Sequence, residues 1–149
     1  MYSIEEFDKA KSKVLKYVLY KKRSKQEVKN KFYNVIDNEM LNNVIEELEE
    51  NGYIDDCNYI ERAVNEFMAL NNLSIKEIRY KLATKGIPSN LIDDYIIKNK
   101  ETLVDYEFES ARKITIKKSS CLTKDEIMQY LLKKGYMKES VGEALKEID

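Results

Sequence analysis

The chain has 149 residues, 43% of them hydrophobic and 36% charged, with a net charge of −1 and only four Gly and one Pro. That is enough to bury a core beneath a strongly charged surface, and it is too poor in turn residues for a β protein. The absence of histidine removes the commonest general base, the Ser-His and Cys-His nucleophiles and most zinc sites, and apolar runs such as 17–20 are far too short to cross a membrane.

In chain order, apolar residues at Ile4, Phe7, Ala10, Val14 and Val18 recur in steps of three and four and predict a first helix with one buried face. Ser24 followed by Glu27 forms a capping box, in which the hydroxyl accepts from the N3 amide while the Glu reaches back to the N-cap amide, and it opens a short helix with Val28 and Phe32 inward. After the polar stretch 34–38, Leu41, Val44, Ile45 and Leu48 mark a third helix that stops at Asn51-Gly52.

The plan then recurs. Asp55 or Asp56 is the expected N-cap of a helix bearing Ile60, Val64, Phe67 and Met68. Ser74-Glu77 opens a helix with Ile78 and Leu82 inward that stops at Gly86, and after Ile87-Pro88 another helix presents Leu91, Ile92, Tyr95 and Ile96. Leu103 to about Lys118 reads as a further helix, weakened by the β-branched run 114–116. Thr123-Glu126 opens the next, with Ile127, Leu131, Gly135 and Tyr136 matching Ile78, Leu82, Gly86 and Ile87, and the last helix carries Val141, Ala144, Leu145 and Ile148. The three capping boxes are spaced by 50 and 49 residues. One supersecondary unit used three times is the expectation: an all-α fold of three tandem three-helix repeats, about 1–52, 53–101 and 102–149, packed as a single domain in a short curved solenoid.

Charge is segregated. Residues 9–31 hold ten Lys or Arg against the single Glu27, whereas 37–50 hold six acids and no base. Base-rich stretches recur around the second helix of each unit, so the candidate binding residues are Lys21, Lys22, Arg23, Lys25 and Lys29, then Lys76, Arg79 and Lys85, then Lys124, Lys133 and Lys134. They could form a discontinuous stripe for phosphates or an acidic protein surface, or simply solvate outer helix faces. Twenty-two Lys to four Arg supply point charges rather than bidentate forks, which speaks against base-specific readout. A helix-turn-helix is disfavoured because the third helix ends in Glu46, Glu47, Glu49 and Glu50. Asp55-Asp56 and Asp93-Asp94 are read as a cap and an exposed pair, not as an acid-base dyad. Tyr17 and Tyr95 sit at core spacing, while Tyr20, Tyr33, Tyr80 and Tyr130 lie near lysines and stay open as stacking surfaces. Cys57 and Cys121 are expected to be reduced, with Cys57 filling core space. No phosphate loop, dinucleotide fingerprint or metal-ligand cluster is present, so no cofactor, metal or catalytic residue is expected.

The segments 52–60 (Gly-Tyr-Ile-Asp-Asp-Cys-Asn-Tyr-Ile), 78–87 (Ile-Arg-Tyr-Lys-Leu-Ala-Thr-Lys-Gly-Ile), 130–136 (Tyr-Leu-Leu-Lys-Lys-Gly-Tyr) and Arg23-Ser24 through Phe32 together resemble the RecX regulators of the RecA recombinase, in the family's order and over essentially the whole chain. The first unit departs from that pattern, having Ile36 where a glycine follows the second helix. The resemblance implies a helical array that binds along the groove of the RecA–DNA filament as a monomeric cytoplasmic protein and modulates, as an inhibitor, its ATPase, strand-exchange and co-protease activities. DNA would be met mainly as part of that filament. From the residues alone, a non-specific DNA-binding helical module and a helical-repeat protein-interaction adaptor remain alternatives.

Overall fold

The computed structural model describes residues 2–148, and among them every regular element is a helix: α1 Ile4–Tyr20, α2 Lys25–Phe32, α3 Asn38–Glu50, α4 Asp56–Leu70, α5 Ile75–Thr84, α6 Ser89–Lys98, α7 Lys100–Lys118, α8 Lys124–Lys134 and α9 Lys138–Leu145. The fold is all-α, as the periodicity predicts. Three buried apolar clusters hold it together: one from α1, α2, α3 and Ile54, one from α4, α5, α6 and the start of α7, and one from the rest of α7 with α8 and α9.

The three capping boxes form as expected at Ser24, Ser74 and Thr123, each with reciprocal hydroxyl and Glu bonds. The predicted C-terminal stops at Gly52, Gly86 and Gly135 all take positive φ, at 82°, 80° and 97°. The amides of Tyr53, Ile87 and Tyr136 reach back to the carbonyls of Leu48, Leu82 and Leu131, which closes the last turn in each case. Asp55, not Asp56, caps α4, accepting from the Asn58 amide.

Several expectations need correction. Ile4 lies in the first turn of α1, beyond the end of the cluster, and is 81% exposed, so the apolar face begins at half-buried Phe7. Cys57 is exposed because it sits one turn ahead of Ile60, where the core of α4 starts; it fills no core space, and both cysteines are free. The run Ile114-Thr115-Ile116 does not weaken α7, which is the longest helix at 19 residues. Its periodicity reads poorly because its inward face is partly polar: Glu107, Ser110 and Thr115 are buried there. Tyr106 adds a hydroxyl that donates to the Leu73 carbonyl and accepts from the Leu73 amide.

Adjacent units are joined by polar contacts that recur. Ser24 Oγ donates to the Lys85 carbonyl at 2.6 Å, and Ser74 Oγ donates to the Lys134 carbonyl at 2.8 Å. Each capping serine thus accepts from its own helix start and ties off the end of the second helix one unit further on. Beside each, the first helical amide donates to a carboxylate on the next unit's first helix: Lys25 N to Asp56 at 2.8 Å and Ile75 N to Glu107 at 2.8 Å. Glu107 also accepts from Met137 N and Ser140 Oγ, so one buried carboxylate faces the N-termini of both α5 and α9, where the helix dipoles favour negative charge. These matches set the register. The first helices of the second and third units align at a shift of 51 (Asp56 on Glu107) and the second helices at 49 (Ser74 on Thr123), which is why no single shift brings α7 into line.

The junctions also explain the glycines. A Cβ on Gly86 would overlap the side chain of Gln26, and one on Gly135 would come within 2.9 Å of Lys76 Cδ. The matching position in the first unit is Ile36, which is buried in the first cluster instead. No side chain among the described residues donates to the Val35 carbonyl, the counterpart of Lys85 and Lys134, so glycine is not required there.

Candidate functional site: two basic clefts between units

The lysines proposed from sequence are divided by the structure rather than brought onto one line. Lys21, Lys22 and Lys85 line one cleft between the first and second units, together with Arg62 and with Glu27, Glu66, Tyr59 and Phe67. Lys134 lines a second cleft, between the second and third units, with Lys113, Lys117, Lys118, Tyr130 and the end of α4. The others lie outside both. Arg23 places its guanidinium 4.1 Å over the Tyr17 ring, Lys25 pairs with Glu49 at 3.2 Å, and Arg79 pairs with Asp93 on α6. Lys76 packs over Gly135, Lys29 is half-buried, and Lys124 and Lys133 are exposed on α8. Lys76 and Lys85 stand at opposite ends of α5, roughly 13 Å apart along its axis.

The two clefts are the same place in successive units. At the shift of 51, Arg62, Ala63, Glu66 and Phe67 of the first cleft fall on Lys113, Ile114, Lys117 and Lys118 of the second. Lys85 matches Lys134 at 49, and Lys21-Lys22 match Asn71-Asn72 at 50. Four cations line each cleft, yet only two of the four positions correspond. Arg62 and Lys113 were missed because they belong to first helices, and Lys117 and Lys118, although part of the base-rich approach to the second helix of the third unit, were not among the candidate binding residues. The signal for Lys117 and Lys118 was visible as a basic run, but nothing local showed that α7 turns it toward α8.

Local chemistry differs between the clefts. In the first, Tyr59 is held by burial and by neighbouring Glu27 up to about 12, so its phenol stays neutral, and two carboxylates temper the cations. In the second no carboxylate among the described residues lines the walls. Lys118 Nζ lies 4.4 Å and Lys134 Nζ 5.8 Å from the centre of the Tyr130 ring, and Lys134 also pairs with Glu77 at 3.3 Å. Tyr20, Tyr33, Tyr80 and Tyr130 are all exposed, and Tyr17 and Tyr95 pack against the core, as their spacing predicts. No group of three or more His, Cys, Asp or Glu among the described residues could hold a metal ion, and no helix there is long and apolar enough to cross a membrane.

Small helical bundles clamped end to end, with open charge-lined clefts at the joints, define an all-α helical-array scaffold. No family model matches the chain. It is 30% identical to the regulatory protein RecX of Clostridium acetobutylicum, covering 93% of this chain and 68% of that one, and 28% identical to the regulatory protein RecX of Lactococcus lactis, of which it spans 52%. The crystal structure of RecX from Lactobacillus salivarius superposes with a TM-score of 0.81 at 26% identity, over 97% of both chains. The chain belongs to the RecX family, and its two curated relatives above are regulatory proteins.

Proposed function

We propose that this chain regulates the RecA recombinase in the cytoplasm by lying as a monomer along the groove of the RecA–DNA filament, and that it inhibits the filament's ATPase, strand-exchange and co-protease activities by binding, without a cofactor or chemistry of its own. The observation that carries the proposal is membership of the RecX family across nearly the whole chain. The lysines flanking the second helices support it, since Lys21, Lys22 and Lys85 share a cleft that can meet an acidic protomer surface or the bound strand.

The test is single-strand-DNA-dependent ATP hydrolysis by RecA while the protein is titrated, with DNA binding by the protein alone as control. Inhibition well below the amount needed to coat the DNA is expected. No effect at several-fold excess over recombinase refutes the proposal. Loss of hydrolysis only when the protein covers the DNA identifies a non-specific DNA-binding module instead. The triple change K76E/R79E/K85E is expected to weaken filament binding, and unchanged binding would remove the second-helix lysines from the interface.

A further inference from the structure

We propose that the cleft between α4, α7 and α8 is a contact site for a single nucleic-acid strand, in which Lys113, Lys117 and Lys118 meet successive phosphates beside the Tyr130 ring. This places a strand site on a first helix, away from the second-helix lysines used above. The position-by-position match with the first cleft carries the argument. Where that cleft has Arg62, Glu66 and Phe67, the second has Lys113, Lys117 and Lys118, so one carboxylate and one aromatic ring give way to ammonium groups. Lys134 balances part of its charge against Glu77, but among the described residues no ion pair involves the other three.

Helix C-termini explain only part of this charge. Lys117 and Lys118 lie in the last turn of α7 and complement its dipole, whereas Lys113 lies more than a turn upstream and gains nothing from it. The kind of ligand follows from the neighbours of the lysines. Tyr130 remains 36% exposed, with ammonium groups at 4.4 and 5.8 Å from its ring centre, and the exposed Leu70 forms part of the rim. Point charges set beside an aromatic face suit a polymer that alternates phosphates with flat bases. An acidic peptide would satisfy the lysines but, unlike a nucleic acid, does not pair a flat group with every charge. Lysine rather than arginine on the walls, with no fixed forks, makes contact with the strand indifferent to sequence.

The test needs no recombinase, so its failure and that of the filament proposal are separable. A fluorescein-labelled oligothymidine of about 15 nucleotides is titrated with the full chain, read by anisotropy, at several salt concentrations. Three phosphate contacts on a single strand give a slope of log affinity against log salt of at least about −2. In K113Q/K117Q/K118Q the slope should become shallower by about 2, with affinity falling about 100-fold at 0.1 M salt. The equally charged control K9Q/K13Q/K16Q, on the outer face of α1, should lose much less. Y130L should weaken binding about fivefold or more through lost stacking. A wild-type slope near zero overturns the proposal, as does an equal loss in the α1 control, or displacement of the oligonucleotide by a polyglutamate peptide at matched charge, which would assign the cleft to an acidic protein segment. Photocrosslinking of 4-thiothymidine DNA to the unaltered chain gives an answer even if the triple variant fails to fold: adducts should map to the segment containing Tyr130, and adducts confined to other segments refute the site.

Discussion

Replacing Ser74 by alanine separates the two roles of a capping serine. Its hydroxyl is fully buried, accepts from the Glu77 amide at 3.1 Å and donates to the Lys134 carbonyl at 2.8 Å. Losing the cap costs about 1 kcal/mol. Leaving the Lys134 carbonyl without a partner, since among the described residues it accepts no other bond, costs about 1–3 kcal/mol more. S74A should therefore lose about 2–4 kcal/mol, near 6–12 °C in Tm for a chain of this length. Thr123 forms the same box on an exposed site and donates to no carbonyl further on, so T123A isolates the cap and should lose only about 1 kcal/mol, about 3 °C. S74G offers a second route, because glycine at an N-cap costs only a few tenths of a kcal/mol relative to serine, and what remains is the inter-unit bond. Urea unfolding followed by far-UV circular dichroism reads all three. Losses in S74A and T123A that agree within about 0.5 kcal/mol would refute the claim that the serine stabilises the joint between units.

Further expectations concern the same joints. G86A should destabilise more than G52A: both glycines have positive φ and share a backbone penalty of about 1–2 kcal/mol, but only at Gly86 would the new Cβ overlap Gln26, and equal Tm values would show that the joint gives way freely. E107Q should cost about 2–3 kcal/mol in the same unfolding assay, because the amide presents a donor to a site where Ile75 N, Met137 N and Ser140 Oγ all donate; an unchanged midpoint would mean the carboxylate is dispensable. Glu126 has its carboxyl held below the usual 4.5 by the Thr123 amide and hydroxyl. Its contribution is present above pH 4.5 and is lost as pH falls through the lower folded value, so E126Q should lower Tm at pH 7 and lower it by less at about pH 3. A Tm difference of the same size at both pH values would exclude the ionised carboxylate as the cause.

Much of the fold is legible from local signals. Capping boxes, Gly stops and inward positions such as Val28, Leu41, Ile78 and Leu131 depend on residues within a turn or two of each other, and all are buried or bonded as expected. What is not legible depends on partners far along the chain. Asp56 looks like an alternative cap, yet it serves the amide of Lys25, 31 residues earlier; burial raises its carboxyl and the bond from that amide offsets part of the rise. Glu107 looks like a surface acid on an ordinary helix, yet it is fully buried and stands in for the side-chain cap that α9 lacks. The basic residues were legible as charge but not as place. Composition shows that lysines cluster near the second helices, whereas only packing shows that α4 and α7 complete the walls of the clefts.

The joint between units is built from the ends of helices: a serine, a carboxylate, a glycine, and backbone groups that every chain possesses. Apolar packing crosses the same joints, since Ile54 lies in the first cluster and Leu103 and Tyr106 of α7 lie in the second, so each core is closed by the unit that follows it. A unit added to or removed from such an array would have to carry both the helix-end contacts in register and the apolar residues that close its neighbour's core.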